Sequence, residues 1–150
     1  MSVLRELYQQ IILDHNKSPK NFREMEDATR RVEAYNPLCG DHYTVYLKMD
    51  GGKVAEMSFR GAGCAISKAS ASVMTSVVRG KSREEALKMF EDFHSLVTGE
   101  MNGEARLETL GKLAAFGGVS EFPARVKCAI LPWHALRSAL TSEDPAITTE

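Results

Sequence analysis

Asn36-Pro37-Leu38-Cys39-Gly40-Asp41 sets a thiol and a carboxylate two positions apart, behind a rigid Asn-Pro turn. Gly40 lets the backbone between them bend freely, so both side chains can aim at one point. The chain has only two other cysteines, Cys64 and Cys128. Three thiolates and one carboxylate make four ligands, the number a tetrahedral zinc ion takes. The expectation that organises the chain is that its fold brings Cys39, Asp41, Cys64 and Cys128 together.

Downstream of Asp41 the pattern has period two. Tyr43, Val45, Leu47 and Met49 alternate with Thr44, Tyr46 and Lys48, which predicts a half-buried strand. Asp50-Gly51-Gly52 is a hairpin turn, and residues 53–60 form the return strand. The spacing of Val54, Met57 and Phe59 slips by one, which predicts a bulge. Upstream, residues 17–38 read as a loop with one short strand over Arg31–Ala34. Before it, Leu4, Leu7, Tyr8, Ile11 and Ile12 recur at helical spacing, predicting a helix over 3–14.

Gly61-Ala62-Gly63-Cys64 leads into a helix over Ala65–Val78, ended by Gly80. Cys64 then stands at a helix N-terminus, where free N–H groups favour a thiolate; taken alone, it also reads as a small buried thiol. The glycines carry no dinucleotide or P-loop pattern, which argues against a nucleotide site. Ser82-Arg83-Glu84-Glu85 is a capping box opening a helix to about Val97. Asn102-Gly103 reads as a turn. Residues 106–116 read as an amphipathic segment stopped by Gly117-Gly118. Pro123 opens a short helix that sets Arg125 and Cys128 on one face. Pro132 opens a separate last helix, Trp133–Leu140.

At 150 residues the chain is expected to form one domain, residues 1–141, followed by a polar tail, 142–150, expected to be disordered. The net charge of −1 supplies no field to attract nucleic acid or anionic lipid. No run approaches the length that spans a bilayer, and residues 1–7 lack a signal-peptide core, so the expected location is the cytoplasm. An odd cysteine count of three suits a reducing compartment.

The constellation has no CxxC pair and no zinc-finger spacing. Four negative charges on a divalent ion require nearby cations, and Arg125 and Lys127 stand where they can supply them. A hard oxygen ligand makes such a site open to exchange, which suits a thiolate that must leave and react. His42 is an alternative fourth ligand in place of Asp41, although strand alternation turns it to the opposite face. His15 reads as a surface or helix-end residue, His94 as solvated, and His134 as lying on the exposed side of its helix.

Three stretches carry a resemblance: Asn36–Asp41, Gly61–Ser72, and Phe122-Pro123-Ala124-Arg125-Val126-Lys127-Cys128-Ala129. With the helix exit Asp14-His15-Asn16-Lys17-Ser18-Pro19-Lys20-Asn21, they make the chain similar to the IscU/NifU-like superfamily of iron-sulfur assembly proteins. Lys127, where IscU-type scaffolds carry histidine, and the long segment around 99–118 point to its SufU branch. The resemblance implies an α+β fold, a small antiparallel sheet covered by helices on one side. It implies zinc on Cys39, Asp41, Cys64 and Cys128. It implies a PLP-dependent, SufS-type cysteine desulfurase as partner, whose persulfide sulfur Cys39 accepts for a downstream SufBCD-type complex. In the implied route a partner histidine replaces Cys39 on zinc, and Arg125 holds the freed thiolate. The alternatives are a scaffold that builds a [2Fe-2S] cluster on the same residues, and an interaction module with structural zinc.

Overall fold

The alternation around the Cys39 motif builds the sheet. The computed structural model describes residues 2–100, 110–141 and 146–148. β1 (Arg30–Asn36), β2 (Asp41–Asp50) and β3 (Lys53–Ala62) are antiparallel neighbours. β1 turns Val32, Ala34 and Asn36 inward, and β2 turns Asp41, Tyr43, Val45 and Leu47 inward. Arg31, Glu33, Tyr35 and His42 stand exposed on the other face. The expected short strand inside a loop is therefore a full strand ending at Asn36. Its inward positions include small Ala34 and polar Asn36, so hydrophobic alternation underreports it.

Asn36 pairs with Asp41, which makes Pro37–Gly40 the loop of a β-hairpin. The amides of Cys39 and Gly40 both donate to Asn36 O, at 3.2 and 2.9 Å. Gly40 has φ +74°, a conformation that costs a side-chain-bearing residue free energy. The predicted bulge is present: Lys48 faces Glu56 and Met49 faces Val54, leaving Ala55 unpaired in β3.

A fourth strand, β4 (Ala146–Thr148), adds to β1 in parallel. Against the expectation of a disordered tail, these three residues complete the order β3-β2-β1-β4. The remaining tail positions, the Asn102-Gly103 turn and residues 106–109 lie outside the described residues.

The helices are α1 (Ser2–Lys17), α2 (Ala65–Val78), α3 (Arg83–Val97) and α4 (Pro123–Thr141), with a 3₁₀ segment over Gly111–Glu121 before α4. α2 and α4 pack on the sheet, and α1 packs on α2. α2 is central because its Ala and Ser side chains let its neighbours approach closely; Ala69–Thr75 are all buried. α3 starts at the predicted capping box, with Glu85 N donating to Ser82 Oγ at 3.1 Å and Ser82 N to Glu85 Oε1 at 2.9 Å. Trp133 stacks on Phe93 at 4.7 Å, and Phe116 meets Phe93 edge-on at 5.6 Å. Among the described residues no helix is long and apolar enough to cross a membrane.

Two element boundaries differ from the sequence expectation. Gly117-Gly118 does not stop the segment before it, because the 3₁₀ winding runs on to Glu121 with Leu113, Phe116 and Val119 buried. Pro132 does not open a new helix; it sits inside α4. A proline removes one helical hydrogen bond and crowds the turn before it. Beside it, Ser70 Oγ donates to Ala129 O at 2.5 Å and accepts from Trp133 Nε1 at 3.1 Å, which ties α4 to α2.

Candidate metal centre

Three elements meet at one point: the tip of the β1–β2 hairpin, the first residue of β2 and the second turn of α4. They bring Cys39 Sγ, an Asp41 carboxylate oxygen and Cys128 Sγ all within 4.8 Å of one another. The two sulfurs are 3.2 Å apart. Cys39 is exposed on its loop, whereas Cys128 is buried. This group could hold a metal ion.

Asp41 carries the clearest sign of one. It is buried, and its Oδ1 accepts from Cys64 N at 2.8 Å and from Ser67 Oγ at 3.1 Å. Its Oδ2 is buried without a hydrogen-bond partner. An unpaired polar group in the interior costs about 1–3 kcal/mol, and more when charged. A cation between Oδ2 and the two sulfurs removes that cost, so the donor set fits a metal.

Cys64 lies at the edge of the group. Its thiol caps α2, accepting from Ser67 N at 3.4 Å, as its position before the helix predicts. It is half-buried and is not one of the three clustered donors. Its charge nevertheless reaches the centre. The Arg125 pKa is raised, first by the negative charge of Cys64, then by hydrogen bonding to Cys128 and its charge. Arg125 is exposed and faces the sulfurs from the first turn of α4. Burial pushes the Cys128 thiol pKa well up, with its contact to Cys39 and the charges of Cys64 and Asp41 adding to the effect. Lys127, the other expected counter-charge, is half-buried just before Cys128.

The histidines stand apart from the centre. His42 is exposed on the far face of the sheet, stacked on Tyr35 at 4.2 Å and 3.1 Å from Glu33 Oε1, which removes it as an alternative to Asp41. His15, expected at the surface, is buried with Nδ1 2.6 Å from Ser72 Oγ, and burial lowers its pKa. His134, expected on the exposed side, is half-buried against Phe90 at 5.3 Å; burial, with Arg137 and His94, lowers its pKa to about 4. His94 is half-buried in the last turn of α3 rather than fully solvated.

Four residues around the centre are not evident as site residues from sequence. Asn36 Nδ2 donates to Cys128 Sγ at 3.6 Å. Ser67 and Tyr43 share a hydrogen bond of 2.8 Å behind Asp41. At Gly63, a Cβ would sit against Asp41 Oδ1 and 2.6 Å from both Ser67 Oγ and Tyr43 Oη. Available signals were the buried polar end of β1 and a serine three positions after the capping cysteine.

The profile of the NifU-like N-terminal domain matches residues 7–129. The chain is 42% identical to the zinc-dependent sulfurtransferase SufU of Bacillus subtilis over 94% of each chain. It is 39% identical to the iron-sulfur cluster assembly scaffold protein IscU of Streptococcus pyogenes, over 93% of this chain and 86% of that one. Among solved structures, it is similar to a putative iron-sulfur cluster assembly scaffold protein for the SUF system from Fervidobacterium islandicum, with a TM-score of 0.83, 36% identity and coverage of 94% and 100%.

Proposed function

The chain belongs to the NifU-like N-terminal domain family, and on that premise we propose that it is a zinc-dependent carrier of sulfur for iron-sulfur cluster assembly. It takes the sulfur from a PLP-dependent, SufS-type cysteine desulfurase and delivers it to a SufBCD-type assembly complex, in the cytoplasm. The observation that carries this reading is an exposed thiol, Cys39, grouped with two buried donors, of which Asp41 has an unpartnered oxygen. Zinc would be held by Cys39, Asp41 and Cys128, with Cys64 as the fourth ligand. When bound, it keeps its thiols deprotonated at neutral pH.

The chain's own residues then perform the transfer. The Cys39 thiolate attacks the outer sulfur of the desulfurase persulfide; the S–S bond breaks, and the desulfurase leaves as its thiolate. Arg125 pairs with the anion on Cys39 before and after the transfer. Cys128 is buried and Cys64 caps a helix, so Cys39 is the thiol placed to meet another protein.

The likeness to IscU of Streptococcus pyogenes favours a second reading, in which a [2Fe-2S] cluster is assembled on the same cysteines and Asp41. Lys127 counts against it, since a histidine there would offer cluster iron a further ligand and lysine does not. The test is desulfurase turnover, read as alanine formed from cysteine. The zinc-loaded protein should stimulate it, and Cys39→Ser should not while retaining its fold. Equal stimulation by Cys39→Ser would overturn the assignment of Cys39 as acceptor.

A further inference from the structure

The geometry points to Ser67 as a positioning residue of the metal centre: with its hydroxyl oriented by Tyr43, it restricts Asp41 to binding metal through one oxygen, Oδ2. This rests on the metal-binding reading above and concerns how the carboxylate is held.

The direction of each hydrogen bond follows from counting protons. Ser67 has one hydroxyl proton and three oxygens in reach, Asp41 Oδ1 at 3.1 Å, Cys64 O at 3.1 Å and Tyr43 Oη at 2.8 Å, while the Cys64 thiol donates to its oxygen at 3.6 Å. Cys64 O already accepts from Lys68 N at 3.1 Å. Tyr43 is fully buried, and its phenol carries one proton that needs an acceptor. The consistent arrangement is Tyr43 Oη–H to Ser67 Oγ, and Ser67 Oγ–H to the Asp41 carboxylate, which takes the stronger, charge-assisted bond. With Cys64 N also donating, Oδ1 carries two hydrogen bonds and Oδ2 none.

Two structural consequences hold the arrangement. Ser67 is fully buried, so no water substitutes for its hydroxyl. Gly63 lets the three groups close up on one another, since a Cβ there would collide with Asp41 Oδ1, Ser67 Oγ and Tyr43 Oη. A carboxylate anchored at Oδ1 offers a single oxygen. Without the Ser67 proton, Oδ1 regains lone-pair capacity and Asp41 can bind through both oxygens. Partners that orient a ligand in this way typically change metal affinity by about tenfold to a hundredfold.

The experiment loads the full chain, Ser67→Ala and Tyr43→Phe with cobalt(II) and records the d–d spectrum. It also measures zinc affinity by competition with a chromophoric chelator and melts each metal-free protein. Ser67→Ala is expected to bind zinc about tenfold or more weakly and to shift from intense four-coordinate cobalt bands toward weaker five-coordinate ones. Tyr43→Phe, which keeps the serine proton but frees its direction, should shift the spectrum in the same sense by less. A merely structural role would lower both melting temperatures and leave the cobalt spectra alike. Wild-type affinity and spectrum in Ser67→Ala would overturn the inference alone. A wild-type chain that binds neither metal would overturn the metal reading and the inference with it. Should Ser67→Ala fail to fold, an unchanged Tyr43→Phe spectrum would still overturn it.

Discussion

Replacing Gly63 by alanine tests how rigidly the centre is built. Its φ lies outside the left-handed region, so an alanine backbone is acceptable there and the penalty comes from contacts alone. The new methyl would meet Asp41 Oδ1, Ser67 Oγ and Tyr43 Oη together, the last two at 2.6 Å. Each is a side-chain end that could move if it were independent. They are not independent, because Ser67 is hydrogen-bonded to both of the others in the interior. Forcing a methyl into a packed site costs about 1–3 kcal/mol. Losing a hydrogen bond to a charged group adds about 1.5–3 kcal/mol if the group breaks. Partial relaxation brings the expected loss to about 2–4 kcal/mol, or roughly 5–15 °C in Tm for a domain of this size. The assay is urea and thermal unfolding of the metal-free protein. Gly118→Ala is the control, because no atom lies within 4 Å of where its Cβ would stand, and it should stay within about 0.5 kcal/mol. Gly63→Ala matching that control would refute a rigid network around Asp41.

Other outcomes follow from the same contacts. Ser70→Ala strands the buried Trp133 indole N–H and is expected to cost about 1–3 kcal/mol, read by urea unfolding with the chain's single tryptophan as fluorophore. The His134 pKa is near 4 when folded against an ordinary 6.5, so between these values the unfolded chain binds the extra proton; the stabilisation present above pH 6.5 should fade as pH falls toward 4. His134→Phe should flatten that slope, and an unchanged slope would show that the ring is not desolvated. Zinc at a hundred times its Kd should raise stability by about 2.7 kcal/mol, and Asp41→Ala should remove most of the gain at the same zinc concentration, seen as a smaller Tm rise. Arg125→Ala should slow sulfur acceptance by Cys39 in single-turnover measurements while leaving Tm nearly unchanged, because the side chain is exposed.

Much of this architecture is legible in the chain because its signals are local. The β2–β3 hairpin, its bulge, the Ser82 capping box and the Cys64 cap each depend on neighbours a few residues apart. The loop Pro37–Gly40 is legible as a bend, but not as a hairpin, since two of β1's three inward residues, Ala34 and Asn36, are small or polar. Pro132 misleads because a proline signals a helix start, and only the packing of Ser70 and Trp133 shows it sitting within one helix. Cys39, Asp41 and Cys128 converge as their residue types suggest, and Cys64 stands at their edge, its thiol capping α2 while it also contacts Cys128. Ser67, Tyr43 and Asn36 are illegible as site residues because their roles depend on contacts 24 to 92 positions away. His15 and His134 are misplaced for the same reason, being buried by α2 and α3 rather than by sequence neighbours.

The most direct test follows the sulfur. The zinc-loaded chain is incubated without oxygen with a SufS-type desulfurase, PLP, cysteine and ferrous iron, and its cysteines are mapped by peptide mass. Sulfur transfer predicts one added sulfur on Cys39, none on Cys64 or Cys128, zinc retained and no cluster. Iron and labile sulfide bound in place of zinc would contradict it and establish the scaffold reading instead.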